Sequence, residues 1–303
     1  GISFFTALLF AIHPVQVETV CWISASKIVL STFFYLSALI CYIQYMRNSK
    51  WQYLLASVVS SILAMGCKEQ SVIIVPCLLL FDWMLFKRNM RSLKVYIEKV
   101  YYLIPAIAIF IVTLVANKNT GEEIIGYTIV DRFIFLCYSS FKYLLISAIP
   151  FKLSYLYPFP FQVGEKIPMA LWIYPFVILF IGYVIYLNRR KPLLVFCTLF
   201  FILHLLPVLH VIPLPRYVVA ADRYLYIPYI AFAIGLSILS YHLYERQRKW
   251  ILYAGFLYCS YLCVYTAGYA PAWKNSDTLK EPFKEVLKKR ETNLSINFKH
   301  EKQ

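Results

Sequence analysis

Charge is what this sequence has least of. Of 303 residues, 15% are Asp, Glu, Lys or Arg, while 61% are hydrophobic and 18% are aromatic. A water-soluble domain is nearer half apolar and a quarter charged. So little polar surface cannot cover a fold in water, which excludes the soluble globular classes and points to an integral membrane protein. The charges that remain are 30 Lys and Arg against 15 Asp and Glu, a net of +15. A positive balance of that size also suits nucleic acid. Here the basic residues are mostly spread through short loops, as membrane topology requires, so no nucleic-acid partner is expected.

Other absences narrow the chemistry. The eight cysteines (Cys21, Cys41, Cys67, Cys77, Cys137, Cys197, Cys259 and Cys263) include no CxxC, which leaves neither a zinc site nor a disulfide framework. Most lie in apolar runs as small hydrophobes. There is no GxxxxGK[ST], GxGxxG, HExxH or GxSxG. No DxD or DD occurs, so no metal–nucleotide-sugar site is visible and no metal is expected. The Arg repeat of a voltage sensor is absent. The chain opens at Gly1 inside an apolar run, without the charged n-region or cleavage site of a signal peptide. The expectation is a span whose beginning has been cut off.

Apolar runs bounded by charge predict a polytopic, all-α bundle of about nine membrane spans, at 2–13, 28–46, 51–66, 71–86, 99–116, 168–187, 192–208, 225–243 and 250–269. The tight Lys/Arg-rich connections at 47–50, 87–94, 189–191 and 245–249 are cytoplasmic by the positive-inside rule. Alternation then makes 132–150 the exception. A crossing there puts Arg189-Arg190-Lys191 outside, so this segment, with Arg132, Lys142, Ser139 and Ser140, reads as an interfacial or re-entrant helix. The alternative, a tenth span, stays open. Residues 117–167 form a non-cytoplasmic region with Glu122, Glu123 and an aromatic loop at 155–161. That loop suits a membrane boundary or a platform for a sugar ring or isoprenoid chain. Residues 1–271 thus make the membrane domain, and 272–303 a polar non-cytoplasmic tail with a helical stretch at 279–290.

Three charged clusters fall at span ends on the non-cytoplasmic side. An ionisable group near hydrocarbon costs energy unless it has a partner or a task. In the first, Pro14 ends or kinks a helix and His13 and Glu18 lie around the turn. Glu18 is a candidate general base or substrate anchor; the alternative is a carboxylate capping the next helix. Lys27 reads as a snorkelling edge residue. In the second, Lys68 and Glu69 occupy a short hairpin. They are either a self-neutralising turn or, through Lys68, a point-charge contact to phosphate. In the third, His210, Arg216, Asp222, Arg223 and Tyr224 stand where the chain re-enters lipid. Arg forks bind phosphate bidentately, and a following helix N-terminus favours an anion. A structural Asp222–Arg223 pair is the alternative.

The stretch Leu9-Phe-Ala-Ile-His-Pro-Val-Gln-Val-Glu18 through Ser31 resembles a signature of the transmembrane and tetratricopeptide-repeat O-mannosyltransferases and their bacterial relatives. Cys67-Lys-Glu-Gln70, Ala221-Asp-Arg-Tyr-Leu-Tyr-Ile-Pro228 and Trp273-Lys-Asn-Ser-Asp-Thr-Leu279 resemble further signatures in the same order. The resemblance implies a GT-C-like fold and transfer of a sugar, mannose in this family, from a polyprenyl-phosphate donor (dolichyl-phosphate-like) to a hydroxyl of a protein or glycan acceptor. It implies protein O-mannosylation outside the cytosol, at a bacterial inner membrane by preference or the endoplasmic reticulum membrane in a eukaryote. Family members have about eleven spans, an acidic motif in the first outer loop, and repeats after the Trp273 motif. The first two spans, that loop and the repeats are missing here, so the chain reads as a fragment lacking the main acidic half of its site.

The expected site residues are Glu18 and Asp222 as catalytic carboxylates, with Glu18 the stronger proton acceptor and Asp222 orienting Arg223. Lys68, Arg216 and Arg223 are expected on the donor phosphate, supported by His13, Glu69 and Tyr224. Two other functions stay open: a transporter or flippase for a lipid-linked anion, and a non-catalytic membrane scaffold.

Overall fold

The computed structural model describes residues 1–116, 126–154, 157–210, 218–246 and 248–275. The described residues are mostly helical and form no strands. The helices are α1 (Ile2–Ile12), α2 (Val17–Cys21), α3 (Ser26–Asn48), α4 (Trp51–Cys67), α5 (Ile74–Met84), α6 (Leu93–Ala116), α7 (Ile129–Ala148), α8 (Ile173–Leu187), α9 (Pro192–Leu205), α10 (Pro228–Arg246) and α11 (Arg248–Tyr269). Each segment expected to be a helix within these residues is largely helical, though the runs at 71–86, 168–187 and 225–243 open in 3-10 turns. The Glu122-Glu123 pair, Arg216, positions 155 and 156 of the aromatic loop, and the stretch 279–290 lie outside the described residues.

Among the described residues, four helical stretches are long and apolar enough to cross a membrane: Ile23–Asn48, Leu93–Ala116, Met169–Leu187 and Lys249–Trp273. A fifth candidate is Ile2–Ile12 with Pro14–Cys21, bent by 55°. Trp51–Cys67 and Pro192–Val208 are apolar but shorter. The run expected to span over 71–86 is divided. A 3-10 turn over Glu69–Ile73 precedes α5, which has 11 residues, short of the roughly 20 a crossing helix needs. Helix α7 is not among the candidates for crossing. It starts with a capping box in which Thr128 and Asp131 bond reciprocally.

Large apolar side chains cover the outer surface. Phe176 and Leu179 on α8 are 69% and 70% exposed, and Phe256 on α11 is 72% exposed. Whole helix faces of this kind are covered by lipid rather than water. Inside, small residues let helices approach closely. Helices α3 and α4 form a hairpin in which Ser31 Oγ donates to the Ala64 carbonyl (2.9 Å) and Ser57 Oγ to the Ala38 carbonyl (2.7 Å). Tyr102 of α6 then donates to Ser57 Oγ at 2.8 Å. Each of these three hydroxyls thereby finds a partner, as an apolar interior demands.

The hairpin sets the ends of the bundle. The start of α3 lies beside the end of α4, so the clusters around Glu18 and Lys68 share one end. Tyr42 lies about 24 Å further along α3, at about 1.5 Å per residue, and marks the other end.

Candidate active site

The first cluster is shaped by Pro14. It has no N–H to continue α1, and the chain turns through the 3-10 segment Pro14–Gln16 into the short helix α2. His13 caps this turn, its Nδ1 accepting from the Val15 N–H at 3.3 Å, and its ring packs 4.3 Å from that of Tyr229. Glu18 follows in the first turn of α2 and is 0% exposed. No solvent reaches it, so its charge depends on partners from elsewhere in the chain.

Those partners come from Arg223. The guanidinium donates to Glu18 Oε1 at 2.5 Å, and the Arg223 backbone N–H donates to Oε2 at 2.8 Å. One carboxylate thus fixes both the side chain and the main chain of Arg223. The backbone contact also supplies an acceptor at the start of the 3-10 turn Asp222–Leu225, whose first N–H groups have none within the turn. The guanidinium lies over two aromatic faces, 5.1 Å from the Tyr224 ring and 5.5 Å from Trp22.

Asp222 does not make this contact, although it is the neighbour of Arg223 and was expected to orient it. Its carboxylate points to the other side of the turn and is 1% exposed. Oδ1 accepts from Tyr157 Oη at 2.8 Å, and Oδ2 has no hydrogen-bond partner among the described residues. Burial pushes this carboxyl well above the usual carboxylate range, and the charge of Glu18 adds to that; Tyr157, Lys142 and Arg223 act in the other direction.

The backbone around Asp222 is braced by α7. Ser139 Oγ donates to the Val219 carbonyl (3.1 Å), and the Ala221 N–H donates to Tyr143 Oη (3.2 Å). Residues four apart share a helix face, so the same face of α7 supports both. His210 Nε2 contacts the Val219 carbonyl from the other side at 3.0 Å. Residue 157 pairs with Ala220 in an antiparallel bridge, with the Val219 N–H on the Tyr157 carbonyl at 2.9 Å. Lys142 projects from the braced face, its Nζ 3.8 Å from the centre of the Tyr157 ring.

The second cluster stands apart from this centre. Lys68 Nζ is paired with Glu69 Oε1 in the turn, and Lys27 acts on Glu69 as well. Ser71 Oγ bonds Ser31 Oγ at 2.6 Å and holds the turn against α3. The structure therefore brings together Glu18, Asp222, Arg223 and Tyr224, with His13 beneath them. It places Lys68 and Glu69 at the same end without a contact to Arg223. Arg216 lies outside the described residues. Tyr157 and Lys142 enter the site unannounced, one from the aromatic loop and one from a helix read as interfacial.

A further charged network gathers around Asp82, a residue that falls toward the inner end of its apolar run, and the sequence did not foresee it. At the opposite end, Asp82 Oδ2 accepts from Lys99 Nζ (2.6 Å) and Oδ1 from Tyr42 Oη (2.6 Å). Arg88 grips Glu98 with two nitrogens at 2.5 and 3.1 Å. Asp82, Glu98 and Lys99 are all buried. Two acids and two bases neutralise one another and tie α3, α5 and α6 together, which leaves no charge over for a ligand.

Compared with protein-family models, with curated proteins and with solved structures, the chain matches none of them.

Proposed function

We propose that this chain belongs to a membrane glycosyltransferase that moves a sugar, mannose-like, from a polyprenyl-phosphate donor to a hydroxyl acceptor on the non-cytoplasmic side. The observation that carries the reading is the turn Asp222–Leu225. It presents a buried carboxylate with one unpartnered oxygen beside an arginine fixed at two points. Inverting transfer needs both parts. The acceptor O–H gives its proton to Asp222 Oδ2, and its oxygen forms the new bond to the anomeric carbon. The bond from that carbon to the phosphate oxygen breaks, and the phosphate leaves with the electron pair. A carboxylate whose affinity for protons is raised by burial suits the first task. A pre-fixed guanidinium suits the charge that develops on the leaving phosphate. In this mechanism Glu18 is a positioning residue, since both its oxygens are committed to Arg223.

The GT-C-like arrangement and O-mannosylation belong to the same proposal and rest on the ordered signatures at Glu18, Lys68, Asp222 and Trp273. So do a protein Ser/Thr acceptor and a bacterial inner membrane. The test is transfer of radiolabelled sugar from polyprenyl-phosphate donors by the full-length gene product in membranes. Label in a Ser- or Thr-linked product supports the reading. Movement of the donor between leaflets without transfer replaces it with a flippase.

A further inference from the structure

Of the cations expected to hold phosphate, the two among the described residues are already paired: Lys68 with Glu69 and Arg223 with Glu18. Lys142 is different. It stands on the face of α7 that braces the Asp222 segment, between Ser139 and Tyr143. Its ammonium makes no ion pair with a carboxylate among the described residues. Its neighbours are aromatic, the Tyr157 ring at 3.8 Å and the Tyr138 ring at 5.6 Å. Tyr157 turns its face to Lys142 and its hydroxyl to Asp222, which separates the ammonium from that carboxylate while keeping both at one site. Lys142 is half-buried, so part of the residue is accessible from outside. A half-buried cation on an aromatic face is stabilised enough to stay in place and retains donors for an anion.

We propose that Lys142 is the binding residue for a phosphate monoester at this site, with Tyr157 setting its position. The inference deepens the glycosyltransferase reading, in which the donor is a phosphodiester and the monoester is the polyprenyl phosphate that leaves, and it rests on that reading for the lipid nature of the phosphate. The phosphate contact itself stands on the geometry of Lys142. Burial also pushes the Lys142 ammonium down to about 8, as fits a cation whose nearest partners are uncharged rings.

The experiment is equilibrium binding to the full chain in detergent or nanodiscs, with three probes: a long-chain polyprenyl monophosphate, the same polyprenol without phosphate, and inorganic phosphate. Lys142→Met is expected to weaken the polyprenyl monophosphate about tenfold, the loss of one charge-assisted contact, and to leave the polyprenol unchanged. Lys142→Arg should keep most of the affinity. Tyr157→Phe, which keeps the ring under the ammonium, should keep it too. If Lys142→Met melts below the wild type, Lys142→Gln takes its place in the same comparison. Equal discrimination between monophosphate and alcohol in the wild type and the Met or Gln variant overturns the proposal. So does an equal loss for both lipids. Inorganic phosphate bound as tightly as the lipid, and lost in Lys142→Met, keeps the anion site and makes free phosphate its ligand. A full-length gene product that binds the monophosphate through Lys142 but transfers no sugar from any donor retires the glycosyltransferase reading and leaves this inference standing. A Lys142→Met protein with normal transfer and normal phosphate discrimination does the reverse.

Discussion

Glu18 holds Arg223 by two hydrogen bonds across 205 residues of sequence, one to the guanidinium and one to the backbone N–H. This contact joins the bend after α1 to the turn before α10, while Asp222 bonds Tyr157 instead. The pair is buried, Glu18 fully and Arg223 with 18% of its side chain exposed. Removing one partner of such a pair leaves an uncompensated charge, at a cost of about 3–5 kcal/mol. Arg223→Met should therefore lower the thermal stability of the purified protein sharply, and Glu18→Gln should do so less, because the amide still accepts from the backbone N–H. The double variant should recover part of the loss of Arg223→Met. Equal melting temperatures for wild type and Arg223→Met would contradict the account.

The second buried network permits a parallel test at the other end. Lys99 and Asp82 meet at 2.6 Å, with Tyr42 on both. Lys99→Met leaves Asp82 buried beside Arg88, which approaches at 3.4 Å, and should destabilise by about 3 kcal/mol. Combining it with Asp82→Asn should restore much of the loss. Neither change should alter phosphate binding, because the network lies at the opposite end of α3. A selective loss of phosphate affinity in the double variant would show that the two ends are coupled.

Lys142 predicts a direction for pH. Its ammonium carries charge below about 8 and loses it above, because burial opposes the charged form. The groups that face it are Tyr138, Tyr157 and, beyond the Tyr157 ring, Asp222. A phosphate monoester is almost fully dianionic above about 7, so it adds little change of its own in that range. Binding of polyprenyl monophosphate should weaken as pH rises through about 8, and Lys142→Arg should remove the decline, since a guanidinium stays protonated. A decline of the same size in Lys142→Arg assigns the titration to another group.

The helices were legible because hydrocarbon enforces long apolar runs and charge marks their ends; α3, α4 and α11 lie within two residues of where the pattern put them, while α6 begins six residues earlier. The breaks were legible only at Pro14, where a missing N–H announces the bend. The division of 71–86 into a 3-10 turn and a short α5 left no such mark, because Glu69–Ile73 is as compatible with helix as the residues of α5 are. For the site, the sequence pointed to Glu18, Asp222 and Arg223 through charge kept near hydrocarbon. It could not tell which acid meets the arginine, since adjacency favours Asp222 and only the fold brings Glu18 across. Tyr157 and Lys142 were masked by a bland explanation that is right for most such residues, an aromatic belt and an interfacial cation. The Asp82 network was hidden for a similar reason. Arg88 sits in a loop rich in Lys and Arg that topology already explains, and nothing local to Glu98 and Lys99 shows that they face Asp82.

The central claim is that the unpartnered oxygen of Asp222 takes the acceptor's proton while Glu18 only positions Arg223. Sugar transfer from a labelled polyprenyl-phosphate donor, measured for the full-length wild type, Asp222→Asn and Glu18→Gln, tests it directly. The account predicts that Asp222→Asn loses transfer by about 100-fold or more, the scale of general-base catalysis, with donor binding retained. Glu18→Gln should keep a larger share of the rate. Near-normal transfer by Asp222→Asn, with Glu18→Gln inactive and still folded, would contradict it and return the catalytic role to Glu18.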